Sequence, residues 1–118
     1  MIDYKGNADY PGDQVYPDGM LIDKNDEIWI ALYNGARINR ISKTGELLAT
    51  VNVPAKQTTS LTFGGQNLNT LFVTCGNSTT TPEKYPNAGK VFQITQKAGT
   101  IPNDDQQIQG IPPRKVKF

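Results

Sequence analysis

Residues 27–33 read Glu27-Ile28-Trp29-Ile30-Ala31-Leu32-Tyr33, and this stretch decides the fold. β-Branched and aromatic residues dominate it, and apolar groups fill both alternating positions instead of one, as in a strand covered on its two faces. Upstream, Met20-Leu21-Ile22-Asp23 reads as a partner strand, joined through the turn formers Lys24-Asn25-Asp26 in a tight hairpin. Downstream, residues 36–42 form a third strand and Lys43-Thr44-Gly45-Glu46 turns the chain. A fourth strand over 47–53 stops at Pro54, which has no amide hydrogen to give to a ladder. Together these make a four-stranded meander in about 40 residues.

The unit recurs. Thr59-Ser60-Leu61-Thr62-Phe63 aligns with Asp18-Gly19-Met20-Leu21-Ile22, Leu71-Phe72-Val73-Thr74 with Ile28-Trp29-Ile30-Ala31, and Val91-Phe92-Gln93-Ile94 with Ile38-Asn39-Arg40-Ile41. The offsets are about 41, 43 and 53 residues, so a longer connection interrupts the second copy. A meander repeated at this period predicts a propeller, in which each blade is one antiparallel sheet covered by its neighbours. The expected fold is all-β, about two four-stranded antiparallel blades. Residues 1–16 are the remnant of a preceding blade, 17–54 one blade, and 55–118 another with an insertion at 76–88 and a tail. A ring needs at least about four blades, so the propeller is expected to be incomplete. The polar, proline-bearing insertion reads as a surface connector or as a lid over a ligand site.

Composition agrees with short strands and many turns. Of 118 residues, 11 are Gly and 8 Pro, and 36 % are hydrophobic. Twelve basic residues nearly cancel eleven acidic ones, leaving a formal charge of +1 and no field to attract nucleic acid or an anionic membrane. No apolar run approaches the roughly 20 residues of a membrane helix. One cysteine, Cys75, and no charged-then-apolar leader lead us to expect a cytoplasmic protein. The acceptor triplet Asn77-Ser78-Thr79 then reads as chance.

With no histidine, Ser-His-Asp and Cys-His nucleophiles and imidazole-bound zinc are excluded, and one cysteine excludes thiolate zinc clusters. Gly64-Gly65-Gln66-Asn67 lacks the Lys-Ser/Thr ending of a phosphate loop and reads as a hairpin turn. Asp23-Lys24-Asn25-Asp26-Glu27 imitates the start of a calcium loop, but Ile28 stands where such a loop needs glycine and Asn34 where it needs glutamate.

Asp18 remains. Pro17-Asp18-Gly19-Met20 puts an acid at the start of a blade's first strand, and in a propeller the innermost strands line the central channel. The position suits a ligand or catalytic acid; a turn-forming Pro-Asp-Gly is the competing reading. Its counterpart in the second unit is Thr59, so the acid is no obligatory part of the repeat. Tyr33-Asn34-Gly35 reads as a turn or a site contact, Ser60 as a contact to a substrate hydroxyl or an ordinary strand residue, and Cys75 as a buried, inert thiol. The basic tail after Pro112 reads as a solvated end.

Pro17-Asp18-Gly19-Met20, residues 28–35, Thr58-Thr59-Ser60, Phe63-Gly64-Gly65 and Leu71-Phe72-Val73-Thr74-Cys75 resemble the closing third of the family that includes regucalcin (senescence marker protein), gluconolactonases and luciferin-regenerating enzymes. Gly89-Lys90-Val91-Phe92-Gln93-Ile94 and Gln109-Gly110-Ile111-Pro112 resemble its closing segments, whereas Met1-Ile2-Asp3-Tyr4 resembles the middle of an earlier blade. The resemblance implies a six-bladed propeller with one divalent cation on its axis: calcium, zinc or manganese. It implies that a glutamate, an asparagine and an aspartate hold the cation, the aspartate standing here as Asp18 and the other two expected, with the remaining blades, from upstream sequence. The implied reaction is hydrolysis of a sugar lactone, with Asp18 as metal ligand and also as general base. A calcium-binding regulator without turnover and an inactive truncated product are the alternatives.

Overall fold

The computed structural model describes residues 14–77, 86–95 and 108–112. Seven strands follow in order: β1 Tyr16–Ile22, β2 Ile28–Tyr33, β3 Arg37–Ile41, β4 Leu47–Asn52, β5 Thr58–Gly64, β6 Thr70–Cys75 and β7 Val91–Thr95. All pairings are antiparallel, and they build a four-stranded sheet β1-β2-β3-β4 and a three-stranded sheet β5-β6-β7. Two meanders are therefore present as the repeat requires. The second sheet shows three of its four expected strands among the described residues, and residues 78–85 of the insertion and 1–13 of the expected preceding blade lie outside them.

The alignment of the two units holds in register. Ile30 pairs with Asn39 as Val73 pairs with Phe92, and Ile28 pairs with Ile41 as Leu71 pairs with Ile94. One boundary differs from the expectation: the first strand begins at Tyr16, not Met20, so Asp18 lies inside β1 rather than at its start. Tyr16 and Pro17 pair with Tyr33 and Leu32, and then the register shifts before Met20 meets Ile30. That irregularity breaks the period-2 pattern by which a strand is read from sequence.

β2 is buried on both faces, as its composition demands. Trp29 and Ala31 point to the second sheet and share a core with Ile38, Val53, Ala55, Leu61, Leu71, Val73 and Ile108. Ile30 and Leu32 point the other way, packing with Val15 and Ile41. Each fully buried aliphatic side chain contributes about 1.5–3 kcal/mol relative to exposure. The sheets touch through β1, β2 and β5, so the first strands of the two sheets run side by side, while β4, at the edge of the first sheet, is largely exposed. The segment 108–112 ties the two hairpins together: Lys24 N–H donates to the Gln109 carbonyl at 2.7 Å and Gly110 N–H to the Leu68 carbonyl at 2.8 Å.

A buried polar network, which sequence reading missed, fastens the β1–β2 hairpin to the core. Asp23 is fully buried; its Oδ1 accepts from Asn25 N–H at 2.8 Å and Glu27 N–H at 3.1 Å, and its Oδ2 from Trp29 Nε1 at 2.9 Å. Arg40, also buried, forms an ion pair with Glu27 and places its Cζ 5.3 Å from the Trp29 ring centroid. The oxygens that a calcium loop would need from Asp23 already bind backbone and indole donors.

Candidate functional site

Strand β1 carries a bulge at Asp18-Gly19. Pro17 pairs with Leu32 and Met20 with Ile30, so two residues oppose Ala31 alone. The second sheet repeats it residue for residue: Thr58 pairs with Cys75 and Leu61 with Val73, leaving Thr59 and Ser60 opposite Thr74. Such an insertion locally re-aims the side chains it contains. The device is thus part of the repeat, and only the side chains placed on it differ.

Those side chains behave differently for a chemical reason. Thr59 Oγ1 donates to the Thr74 carbonyl at 3.0 Å and lies 2.8 Å from Thr74 Oγ1, so the hydroxyl is held against its own sheet. An ionised carboxylate cannot donate to a carbonyl, and the residue opposite Asp18 is Ala31, which offers no hydroxyl. Asp18 is accordingly exposed, with no hydrogen-bond or ion-pair partner among the described residues. Nothing there competes for its oxygens.

Gly19 brings the two bulges together. A Cβ placed on it would stand 2.6 Å from Ser60 Oγ and 2.8 Å from Ser60 Cα, so the first strands of the neighbouring sheets approach backbone to backbone at the residue after Asp18. Ser60, exposed on β5, therefore lies beside the same point. The other residues singled out in the sequence fall elsewhere in role. Asn34 has φ 62 and Gly35 N–H donates to the Leu32 carbonyl at 3.0 Å, which makes Tyr33-Asn34-Gly35 a turn; Asn34 Nδ2 donates to the Gln14 carbonyl at 3.1 Å. Gly65 has φ 82 and its carbonyl accepts from Leu68 N–H at 3.3 Å, so Gly64-Gly65-Gln66-Asn67 is a hairpin turn. Cys75 packs against the core, and burial pushes its thiol up to about 11, away from the reactive thiolate.

The donor set for a cation is not complete among the described residues, where no three Cys, Asp or Glu side chains converge. Asp18 fits as one oxygen ligand, because its carboxylate is accessible and has no partner among the described residues, and hard divalent cations favour such oxygens. Among the described residues no helix is long and apolar enough to cross a membrane.

Known proteins resemble this chain in sequence and in fold. A family model described as the SMP-30/gluconolactonase/LRE-like region matches residues 4–77. Regucalcin from Homo sapiens is 45 % identical over 83 residues, covering 67 % of this chain and 28 % of that protein. Regucalcin from Danio rerio is 37 % identical over 105 residues, covering 86 % and 32 %. A solved luciferin-regenerating enzyme superposes with TM-score 0.68 at 34 % identity, covering 94 % of this chain and 34 % of that one. A calcium-binding protein, regucalcin from Agrobacterium tumefaciens str. C58, superposes with TM-score 0.69 at 25 % identity, covering 86 % and 32 %. The chain thus spans about a third or less of the relatives it matches, and its two sheets are blades of their β-propeller.

Proposed function

The chain belongs to the SMP-30/gluconolactonase/LRE-like family, and from that premise we propose that it supplies two blades and one metal ligand, Asp18, to a divalent-metal-dependent hydrolase of sugar lactones. The observation that carries this reading is the carboxylate of Asp18, without a partner among the described residues, on a bulge whose repeat copy holds a threonine bound to its own sheet. A fold-maintaining aspartate would be expected to have a partner, as Asp23 does.

Calcium, zinc or manganese bound there would polarise a lactone carbonyl and lower the pKa of a coordinated water. Asp18 would hold the cation through a carboxylate oxygen, and its other oxygen is available to take a proton from the attacking water. The remaining ligands would come from residues other than those described. A single surface carboxylate attracts a hydrated cation by only about 1 kcal/mol, so the co-ligands decide occupancy.

A second reading, calcium binding without turnover, is favoured by the neighbour described as a calcium-binding protein. One experiment separates the two. In the full-length protein, Asp18→Ala is expected to abolish divalent-cation binding and gluconolactone hydrolysis together. Hydrolysis that survives the substitution removes Asp18 from the site. Saturable calcium binding by the wild type, with no hydrolysis under calcium, zinc or manganese, selects the second reading.

A further inference from the structure

We infer that Gly19 is a positioning residue for the Asp18 carboxylate, acting by letting the first strands of two neighbouring sheets meet at the bulge; the inference rests on the reading of Asp18 as a cation ligand. Three observations on separate residues converge here. Asp18 and Gly19 together oppose Ala31, so the direction of the Asp18 side chain is set by a bulge of which Gly19 is the other half. Any side chain on Gly19 would meet not only Ser60 Oγ but Ser60 Cα at 2.8 Å, and a backbone atom cannot swing aside as a side chain can. Ser60 in turn occupies the matching half of the second bulge, opposite Thr74, where the hydroxyls of Thr59 and Thr74 hold the strands together.

The consequence is specific to position. A Cβ at residue 19 would force β1 away from β5 at a residue bonded directly to Asp18, displacing the carboxylate relative to ligands carried by other strands. A metal site tolerates little such movement, since losing the groups that orient a ligand typically lowers affinity about 10- to 100-fold. Gly64 provides the control. A Cβ there would stand 2.5 Å from Phe72 Cε2, an equally close encounter, but Gly64 pairs with Thr70 at the opposite end of β5.

The test is titration of the full-length protein with Mn²⁺ alone, followed by calorimetry and by paramagnetic relaxation of water, with thermal melting in chelator measured in parallel. Gly19→Ala is expected to weaken Mn²⁺ binding by about tenfold or more, whereas Gly64→Ala lowers the melting temperature and leaves Mn²⁺ affinity unchanged. Wild-type affinity in Gly19→Ala, with Asp18→Ala unable to bind, overturns the positioning role and spares the ligand. Affinity that falls in step with melting temperature in both glycine variants also overturns it, since Gly19 would then be merely structural. Wild-type affinity in Asp18→Ala removes the ligand reading and this inference with it. Should Gly19→Ala fail to fold, Ser60→Val fills the same gap from the second sheet. It is expected to weaken Mn²⁺ binding likewise, and unchanged affinity in that variant refutes the proposal.

Discussion

The carboxylate of Asp23 accepts a 2.9 Å hydrogen bond from the indole nitrogen of Trp29, six residues along the chain, with both groups buried. The same carboxylate binds the amides of Asn25 and Glu27 and lies 3.8 Å from Arg40, whose guanidinium rests on the indole. Trp29 meets Phe63 of the second sheet edge-on, with ring centroids 6.3 Å apart, so one hairpin turn is mechanically tied to the interface between blades. Sequence, packing and assembly meet at this one side chain.

Replacing Asp23 with Ala would leave buried donors on Trp29 and the turn amides unsatisfied. A loss of about 3 kcal/mol is expected, the range for breaking a buried hydrogen-bonded ionic group. Asp23→Asn keeps one carbonyl acceptor and should lose less. Urea unfolding of the two variants beside the wild type checks the order; equal midpoints for all three would show that the network contributes nothing to stability.

Cys75 is expected to be unreactive in the native protein, because burial raises its pKa from 9.0 to about 11. The folded state holds the thiol proton more tightly than the unfolded chain does. The stabilisation from this group is therefore fully present below pH 9 and is lost as pH rises from 9 to 11. Thiol-reagent kinetics at neutral pH should show protection that disappears in denaturant, and Cys75→Ala should flatten the alkaline fall in stability. A native thiol that reacts as fast as the unfolded one would contradict both.

Ala36 follows the Tyr33-Asn34-Gly35 turn with φ 49, in the left-handed region that a Cβ disfavours. Its N–H donates to the Lys56 carbonyl and its carbonyl accepts from Val53 N–H, so the conformation is fixed by the joint between β4 and β5. Relief of that strain should let Ala36→Gly stabilise the chain by up to about 1 kcal/mol, despite the greater freedom glycine brings to the unfolded state. A lowered melting temperature would mean that the Cβ contributes more through packing than it costs in strain.

What the sequence disclosed follows from what local pattern can encode. The doubly apolar run of β2 announced a covered strand, and the repeat placed Leu71 and Val73 on Ile28 and Ile30 in correct register because each unit solves the same packing problem. Asp18 stood out in the sequence because Pro17-Asp18-Gly19-Met20 puts an acid at the head of a blade's first strand, where its repeat counterpart Thr59 carries no charge. Its bulge did not, since a register shift depends on the strand opposite and on how closely Gly19 meets Ser60, which are relationships between residues distant along the chain. Asp23 was weighed as a calcium ligand and set aside on spacing. Its bonds to the turn amides of residues 25 and 27 have a sequence trace, but its bond to Trp29 has none, because it depends on an indole that is buried against the neighbouring sheet.

The face of the first sheet turned away from the second carries the last prediction. In the second sheet, Leu61 is buried at 7 % exposure and Phe63 packs against the shared core; their repeat counterparts in β1, Met20 and Ile22, are 59 % and 53 % exposed. Leu47 stands on the same face, opposite Ile41, at 52 % exposure. Apolar side chains that are buried in one copy of a repeat and open in the other mark a surface shaped for another blade. The isolated 118-residue chain is therefore expected to bind a hydrophobic dye and to self-associate in sedimentation. Ile22→Lys with Leu47→Lys should reduce both, because charge on that face opposes association while the core facing the second sheet is untouched. If the further blades of the proposed function cover this face, the same pair of substitutions should instead destabilise the assembled propeller, since there the lysines would be forced into a blade interface. An assembled propeller whose melting temperature is unmoved by them would show that this face stays open to solvent.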